Sequence, residues 1–199
     1  DALRSAELEA ALSNCLSCKA CTTECPSNVN LSLLKAELLH ARIRRDGLSW
    51  RERLVSSVDL LGKLGCRMPR LANLALDSLF VRSILSKTLG LAWQRPLPRY
   101  ARQRFDHWFR GHRRTTGGSR GRVVLWDDTF VRYHEPEIGI AAVKVLEAAG
   151  FEVALQVGRK CCGRPAFSQG NLDEAMRLGH HNLALLNLDV DAAPILFLE

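Results

Sequence analysis

The most informative stretch of this chain is Cys15-Leu16-Ser17-Cys18-Lys19-Ala20-Cys21-Thr22-Thr23-Glu24-Cys25-Pro26. The four cysteines follow the spacing C-x2-C-x2-C-x3-C and end on a proline. Thiolates at this spacing are typical of an iron–sulfur site, in which the first three sulfurs bind one cluster and the fourth binds a neighbouring cluster. We call residues 15–26 the cysteine comb and predict iron–sulfur binding there.

Two other uses of the comb fit its pattern less well. A structural zinc site usually pairs two Cys-x2-Cys hairpins, or mixes cysteine with histidine at longer separation. A disulfide framework fits a chain of 199 residues with 7 cysteines poorly, and we expect no signal peptide. The comb therefore favours a cytoplasmic, oxygen-sensitive redox module.

The formal charge of +7 is concentrated in one segment of the chain. Arg95–Arg122 contains nine arginines and a single acid, Asp106, and its second half is rich in glycine. This composition predicts a solvated linker. Nucleic-acid binding is an alternative, because aromatic side chains in the segment could stack on bases, but arginine-rich linkers are common.

Membrane contact is a further alternative for the same segment. No run of 18 apolar residues is present, so the sequence predicts no spanning helix. Basic and aromatic residues beside a leucine-rich helical region would instead suit a peripheral contact with the membrane surface.

The N-terminal half has a helical pattern throughout. A helix leads into the comb, and Asn30 is predicted to cap a second helix that Gly47 ends. Two or three further helices are predicted between Trp50 and Trp93, from apolar residues at spacings of three and four.

The C-terminal half changes to alternating strands and helices, which predicts a parallel sheet. Because the chain stops in mid-sheet, we expect it to be part of something longer. The predicted strands are Val123–Trp126, Glu152–Val157 and Ile195–Leu198, and the helices between them are Pro136–Gly150 and Leu172–Leu188.

A second cysteine cluster, Lys160-Cys161-Cys162-Gly163-Arg164-Pro165, follows the second predicted strand. Sites in parallel sheets are usually built at this edge, and a glycine lets both sulfurs turn towards one metal. The alternative is a pair of ordinary buried cysteines. Cys66 has no partner in sequence and is predicted to be a small apolar filler.

Together, the comb, the leucine-rich helix after it, Trp126-Asp127-Asp128-Thr129-Phe130 and Cys161-Cys162-Gly163-Arg164-Pro165 resemble a known family. They resemble the C-terminal iron–sulfur and cysteine-rich (CCG) region of FAD-linked 2-hydroxy-acid oxidoreductases, of the D-lactate, glycolate and D-2-hydroxyglutarate dehydrogenase type. The tail also resembles the CCG domain shared with heterodisulfide reductase and anaerobic glycerol-3-phosphate dehydrogenase subunits.

The resemblance implies a fold and a domain organisation. We expect an α-helical ferredoxin-like N-terminal module followed by an α/β CCG-type domain with a parallel, three-layer arrangement, truncated at both ends. The implied segments are half of a two-cluster ferredoxin module at 1–48, a helical segment at 49–94, a basic linker at 95–121 and the first half of a CCG domain at 122–199.

The resemblance also implies ligands and partners. Cys15, Cys18 and Cys21 would hold one [4Fe-4S] cluster and Cys25 would complete another, while Cys161–Cys162 would supply half of a further metal site. FAD would lie in an upstream domain or subunit, and a quinone or another molecule would accept the electrons.

No catalytic acid–base pair is evident, so the chain is predicted to be the electron-transfer part of such an enzyme and not its reaction centre. A thiol/disulfide redox subunit of the heterodisulfide-reductase kind is the alternative. The expected location is the cytoplasm, with the inner face of the membrane as an alternative.

Three departures from the family pattern limit what the resemblance implies. A first ferredoxin comb would precede Asp1, and a later Pro-Ser-Cys-type ligand segment would follow Glu199. Asp127 and Asp128 stand where CCG domains often have a cysteine. The clusters therefore cannot be completed by these residues alone.

Overall fold

The computed structural model describes residues 5–27, 29–113, 119–187 and 193–198. Within these ranges the chain is mostly helical and carries a small three-stranded parallel sheet, as the sequence predicted. It divides into two compact units. Unit 1 comprises Asp1–Val58 with Cys162–His180, and unit 2 comprises Asp59–Cys161 with His181–Glu199.

The elements follow one another in this order: α1 (Ala6–Ser13), α2 (Cys21–Glu24), α3 (Leu31–Asp46), α4 (Trp50–Ser56), α5 (Val58–Gly65), α6 (Pro69–Asp77), α7 (Leu79–Leu89), α8 (Phe105–Gly111), β1 (Arg122–Trp126), α9 (Thr129–Tyr133), α10 (Pro136–Ala148), β2 (Glu152–Leu155), α11 (Arg164–Ser168), α12 (Leu172–Asn187) and β3 (Ile195–Phe197).

The helices of unit 1 begin and end at capping residues. Asn30 caps α3 by accepting a hydrogen bond from the Leu33 N–H at 3.0 Å, and Gly47, at φ +84°, follows its last turn. Both ends agree with the prediction. Ser49 and Glu52 form a reciprocal capping box at the start of α4, which satisfies two helix-end donors.

The sheet of unit 2 has the order β2-β1-β3 with all strands parallel. The central strand β1 is buried from Val123 to Trp126, as expected for a parallel strand with both faces covered. Val123, Leu125 and Val153 share a hydrophobic core with Val143 of α10. The continuous apolar run in the sequence therefore identified the centre of the sheet.

The basic segment 95–121 contributes to that core. It contains α8, whose Phe105 and Phe109 side chains are fully buried beside the sheet. Part of this segment, residues 114–118, lies outside the described residues. The composition of this segment predicted a linker, because arginines dominate the segment. The structure differs because Phe105 and Phe109, four residues apart, pack one face of α8 into the core. The predicted domain boundaries stay predictions.

Several element ends differ from the sequence-based expectation. Trp50–Trp93 contains four helices and not two or three, because Ser57, the stretch before Pro69 and Ser78 interrupt it. The predicted end of α12 at Leu188 lies outside the described residues. In the described ranges, no helix is both long enough and apolar enough to cross a membrane.

Helix α10 approaches the core so closely that Gly139 leaves no room for a side chain. A Cβ there would lie 2.6 Å from the Phe105 ring and 2.8 Å from a Val131 methyl group. We expect Gly139→Ala to lower the free energy of unfolding by about 1–3 kcal/mol, because overpacking a dense core forces its neighbours apart. Urea denaturation followed by circular dichroism measures the loss.

Gly179→Ala is the matched control. Gly179 also lies inside a helix, but a Cβ there would meet nothing within 4 Å. Its replacement should raise stability by about 0.5–1 kcal/mol, through helix propensity. Equal effects of the two substitutions would contradict the close contact at Gly139.

Candidate metal-binding sites

The backbone of the comb is held in an unusual conformation between α1 and α2. Ser17 and Lys19, one on each side of Cys18, have φ values of +55° and +63°. A residue other than glycine rarely adopts the left-handed region, which costs about 1–3 kcal/mol. Left-handed residues of this kind occur where backbone N–H groups form a concave surface for anions, as in many iron–sulfur sites.

Helix α3 fixes the start of the comb. The Lys35 ammonium donates hydrogen bonds to the Cys15 carbonyl at 2.6 Å and to the Ser13 carbonyl at 3.4 Å. The Cys15 N–H in turn donates to the Leu12 carbonyl at 3.0 Å. Lys35 thus joins the end of α1, the first cysteine and α3, and places a positive charge at the backbone of Cys15.

None of the four cysteines of the comb is fully buried. Cys18 is exposed, and Cys15, Cys21 and Cys25 are half-buried. Four sulfur donors within 11 residues are the right donor set for an iron–sulfur cluster. In the part of the chain that the structure describes, no three His, Cys, Asp or Glu side chains are gathered round a common point that could hold a metal ion. Cluster ligation by the comb stays a prediction.

The second cysteine cluster forms a tight loop after β2. Cys161 is 5% exposed, whereas Cys162 is exposed. Gly163 has φ +87°, and a Cβ on it would lie 3.2 Å from the Ala175 carbonyl oxygen. The glycine of the Cys-Cys-Gly triplet is thus required both by its backbone angle and by the close approach of α12.

In unit 2, Asn182 of α12 holds the loop that leads to Cys161. Its side-chain oxygen accepts from the Lys160 N–H at 2.9 Å, and its amide group donates to the carbonyls of Lys160 at 3.2 Å and Cys161 at 3.1 Å. Asn182 is buried, so these bonds replace water for the loop backbone. Sequence reasoning missed this residue, because an asparagine inside a helical pattern carries no signal of its own.

Asp127, at the carboxyl end of β1, is the centre of a buried ion network in unit 2. Its fully buried carboxylate accepts from Arg132 Nε at 2.5 Å and Nη2 at 2.6 Å, and from Arg159 Nε at 3.2 Å. Burial acts to lower the pKa of Arg132, but the hydrogen bonds and charge of Asp127 outweigh burial and hold this pKa above its usual value. The Asp127 carboxylate therefore accepts hydrogen bonds from two guanidinium groups, and its oxygens are engaged by these groups and not directed to a metal site.

The network extends from Arg159 to α5. Arg159 Nη2 donates to the Asp128 carbonyl at 2.7 Å, and Nη1 lies 3.7 Å from Asp59 Oδ1 without a hydrogen-bond partner in the described residues. Tyr133 donates its hydroxyl to the same Asp59 oxygen at 3.2 Å. Arg159 therefore connects the loop before Cys161 to the ends of β1 and α5.

The Cys66 thiol and two histidine side chains outside the comb have contacts with backbone carbonyl groups. The Cys66 thiol donates to the Tyr133 carbonyl at 3.3 Å, and burial raises the pKa of this thiol. His134 Nδ1 lies 2.9 Å from the Arg99 carbonyl oxygen, and His181 Nε2 lies 2.9 Å from that of Gly158.

Removing the Asp127 charge should destabilise the protein strongly. Asp127→Asn leaves two buried guanidinium groups facing a neutral amide, and loss of one partner in a buried ion pair costs about 3–5 kcal/mol. Chemical denaturation measures the change. The control is Asp77→Asn, which breaks an exposed pair with Arg99 and should cost at most about 1 kcal/mol. Similar losses for both variants would contradict the buried network.

The two tyrosines, Tyr100 and Tyr133, should titrate unusually late. Burial, followed by the charge of Asp59, raises the pKa of Tyr133 to about 12, and burial also raises the pKa of Tyr100. Because the unfolded phenol titrates near 10, the stabilisation from a protonated Tyr133 is complete below about pH 10 and is lost as the pH rises towards 12.

Absorbance at alkaline pH follows this titration directly. Tyr133→Phe should remove the later phase and leave that of Tyr100. A single titration of both tyrosines at about pH 10, the ordinary value for a phenol, would contradict the buried hydroxyl.

Comparison with known proteins identifies a matching domain family and several relatives. The family profile of the cysteine-rich domain (CCG) matches residues 127–196. A subunit of the anaerobic glycerol-3-phosphate dehydrogenase from Escherichia coli K12 is 31% identical over 129 residues, covering 65% of this chain and 33% of the relative. No solved structure is significantly similar to the chain.

Two further relatives extend this pattern. D-2-hydroxyglutarate dehydrogenase of E. coli K12 is 26% identical over 160 residues, covering 75% of this chain and 15% of that enzyme. An uncharacterized iron–sulfur protein of Methanocaldococcus jannaschii is 38% identical over 71 residues, covering 35% of this chain and 14% of the relative.

The chain spans about a third of the length of the glycerol-3-phosphate dehydrogenase subunit and a smaller share of the other two relatives. The resemblance that the two cysteine clusters predicted is confirmed. These similarities relate the chain to iron–sulfur and cysteine-rich subunits and domains of oxidoreductases, and residues 127–196 match the cysteine-rich (CCG) domain family.

Proposed function

We propose that this chain is the electron-transfer part of an FAD-linked 2-hydroxy-acid dehydrogenase. In this role electrons leave the flavin of an upstream domain or subunit and reach a quinone or another acceptor through [4Fe-4S] clusters. The comb supports the proposal most directly, since its four cysteines lie on a backbone with left-handed residues on both sides of Cys18. When bound, the clusters act as one-electron carriers, which accept electrons singly from the two-electron-reduced flavin.

The proposed ligands divide between two clusters. Cys15, Cys18 and Cys21 would hold one cluster, and Cys25 would be the ligand of its neighbour. Lys35 would keep the first cysteine in place and offset part of the negative charge of the thiolates. With its partner comb, the N-terminal module at 1–48 would form an α-helical ferredoxin-like unit.

The C-terminal part at 122–199 would be the first half of a three-layer CCG domain. Cys161 and Cys162 would supply half of a metal site, held in position by the Gly163 turn and by the Asn182 contacts. The chain itself would bind neither the flavin nor the hydroxy acid.

Substitution of one comb cysteine tests the ligands. In the anaerobically reconstituted full-length protein, Cys18→Ser should remove the paramagnetic signal of one reduced cluster and lower the bound iron by about one cluster, since a [4Fe-4S] cluster needs four thiolates. Electron paramagnetic resonance and iron analysis measure both. Cys66→Ser is the control, because this thiol is bonded to a backbone carbonyl outside the comb.

Two results would count against the proposal. Unchanged iron and spectra in Cys18→Ser would exclude the comb as a ligand set, and stoichiometric zinc in the native protein would favour a structural zinc site. If the reduced protein is reoxidised by disulfides and not by quinones, a thiol/disulfide redox role replaces the dehydrogenase.

A further inference from the structure

Three consecutive helices of unit 2, α5, α6 and α7, carry large apolar side chains in contact with solvent. Single exposed leucines are normal on a protein surface, but concentrated ones mark an interaction site. We call this set the leucine surface. Its six members, each between 56% and 75% exposed, are Leu60, Leu64, Leu71, Leu74, Leu79 and Phe80.

The spacing of these residues places them on one face of each helix. The two leucines of α5 are four residues apart and those of α6 are three apart, so each pair shares a face. On α7, Ile84 follows Phe80 at four residues and is 44% exposed. Each of these helices thus has an outward apolar stripe.

The other faces of α5 and α6 are anchored in unit 2. Side chains at Gly62 and Gly65 would overlap the rings of Tyr133 and Tyr100, so α5 lies directly against both tyrosines. Asn73 of α6 donates to the Tyr100 carbonyl at 2.9 Å and accepts from its N–H at 2.8 Å. Two of the three helices that present the leucine surface, α5 and α6, are therefore fixed on their opposite sides.

Charge distinguishes between the kinds of partner that could cover this surface. Residues 58–95, which span the three helices, contain two acids, Asp59 and Asp77, which pair with Lys63 and Arg99 respectively. The basic residues of the same stretch are Lys63, Arg67, Arg70, Arg82, Lys87 and Arg95, and all but Arg82 are exposed. The surface is thus apolar and strongly positive at once.

A second copy of the chain would bring this positive charge against itself. A nucleic acid would pair with the basic groups but leave the leucines in water. An anionic lipid surface satisfies both requirements, because the apolar side chains enter the acyl boundary while Lys and Arg contact the headgroups. Trp93, which is 52% exposed, is suited to the headgroup level.

We propose that the leucine surface is a peripheral membrane-binding surface for bilayers that contain anionic phospholipid. The helices that carry it have 8, 9 and 11 residues, so they would lie in the interface plane. The inference goes beyond the proposed redox function and is tested independently of it, since vesicle binding needs no electron transfer.

Sedimentation of the full-length protein with vesicles tests the proposal. The protein should bind vesicles of phosphatidylcholine with phosphatidylglycerol, bind pure phosphatidylcholine at least about tenfold more weakly, and be released by salt. No sedimentation with either vesicle, or equal binding to both, overturns the proposal.

Paired substitutions locate the contact. Leu74→Gln with Phe80→Gln should weaken binding to the anionic vesicles by about tenfold or more, because two apolar side chains that would enter the bilayer are lost. Arg67→Gln with Arg70→Gln should weaken it by about tenfold on anionic vesicles and leave binding to neutral ones unchanged.

The control replaces two apolar residues of unit 2 that are equally exposed but lie outside these helices. Val145→Gln with Val157→Gln, at 67% and 82% exposure, should leave binding unchanged. Circular dichroism establishes that each variant is folded. If the Leu74/Phe80 variant is folded and binds as well as the control, the leucine surface is not the contact.

Discussion

Two guanidinium groups, those of Arg132 and Arg159, are held inside unit 2 by the single carboxylate of Asp127. A buried charge is tolerated only when it is paired, so the segments that carry these three residues cannot separate without exposing an unpaired ion to the interior. Asp127 follows β1, Arg132 lies on α9, and Arg159 lies in the loop after β2. The carboxyl edge of the sheet, including the approach to Cys161, therefore depends on this network.

The same network explains why the Asp127 carboxylate is not arranged as a metal ligand. Carboxylates bind metal through the lone pairs that here accept hydrogen bonds from two arginines. In unit 2, an ion network occupies the position after β1 and holds the loop after β2 through side-chain contacts. The loop that leads to Cys161 is thus held by contacts within unit 2.

The comb is constrained in a different way, by local backbone conformation. Ser17 and Lys19 are left-handed without being glycine, and the hydrogen bond from Lys35 to the Cys15 carbonyl connects the comb to α3. A left-handed backbone at residues other than glycine is energetically unfavourable and persists only where the surrounding structure or a ligand holds it. A thiolate-bound cluster would make use of a backbone that is already turned in this way.

Features that depend on near neighbours along the chain could be predicted from the amino-acid sequence. The comb spacing, the Asn30 cap, the glycine after α3, the buried run of β1 and the order of the two cysteine clusters are local patterns, and each predicted its element or its family. Three features emerged only from the packed structure: Phe105 and Phe109 of an arginine-rich segment enter the core, Asn182 holds the loop before Cys161, and Asp127 pairs with Arg132 and Arg159. Most of these contacts join residues far apart in the chain, and the burial that makes them matter arises only when the helices and strands pack together.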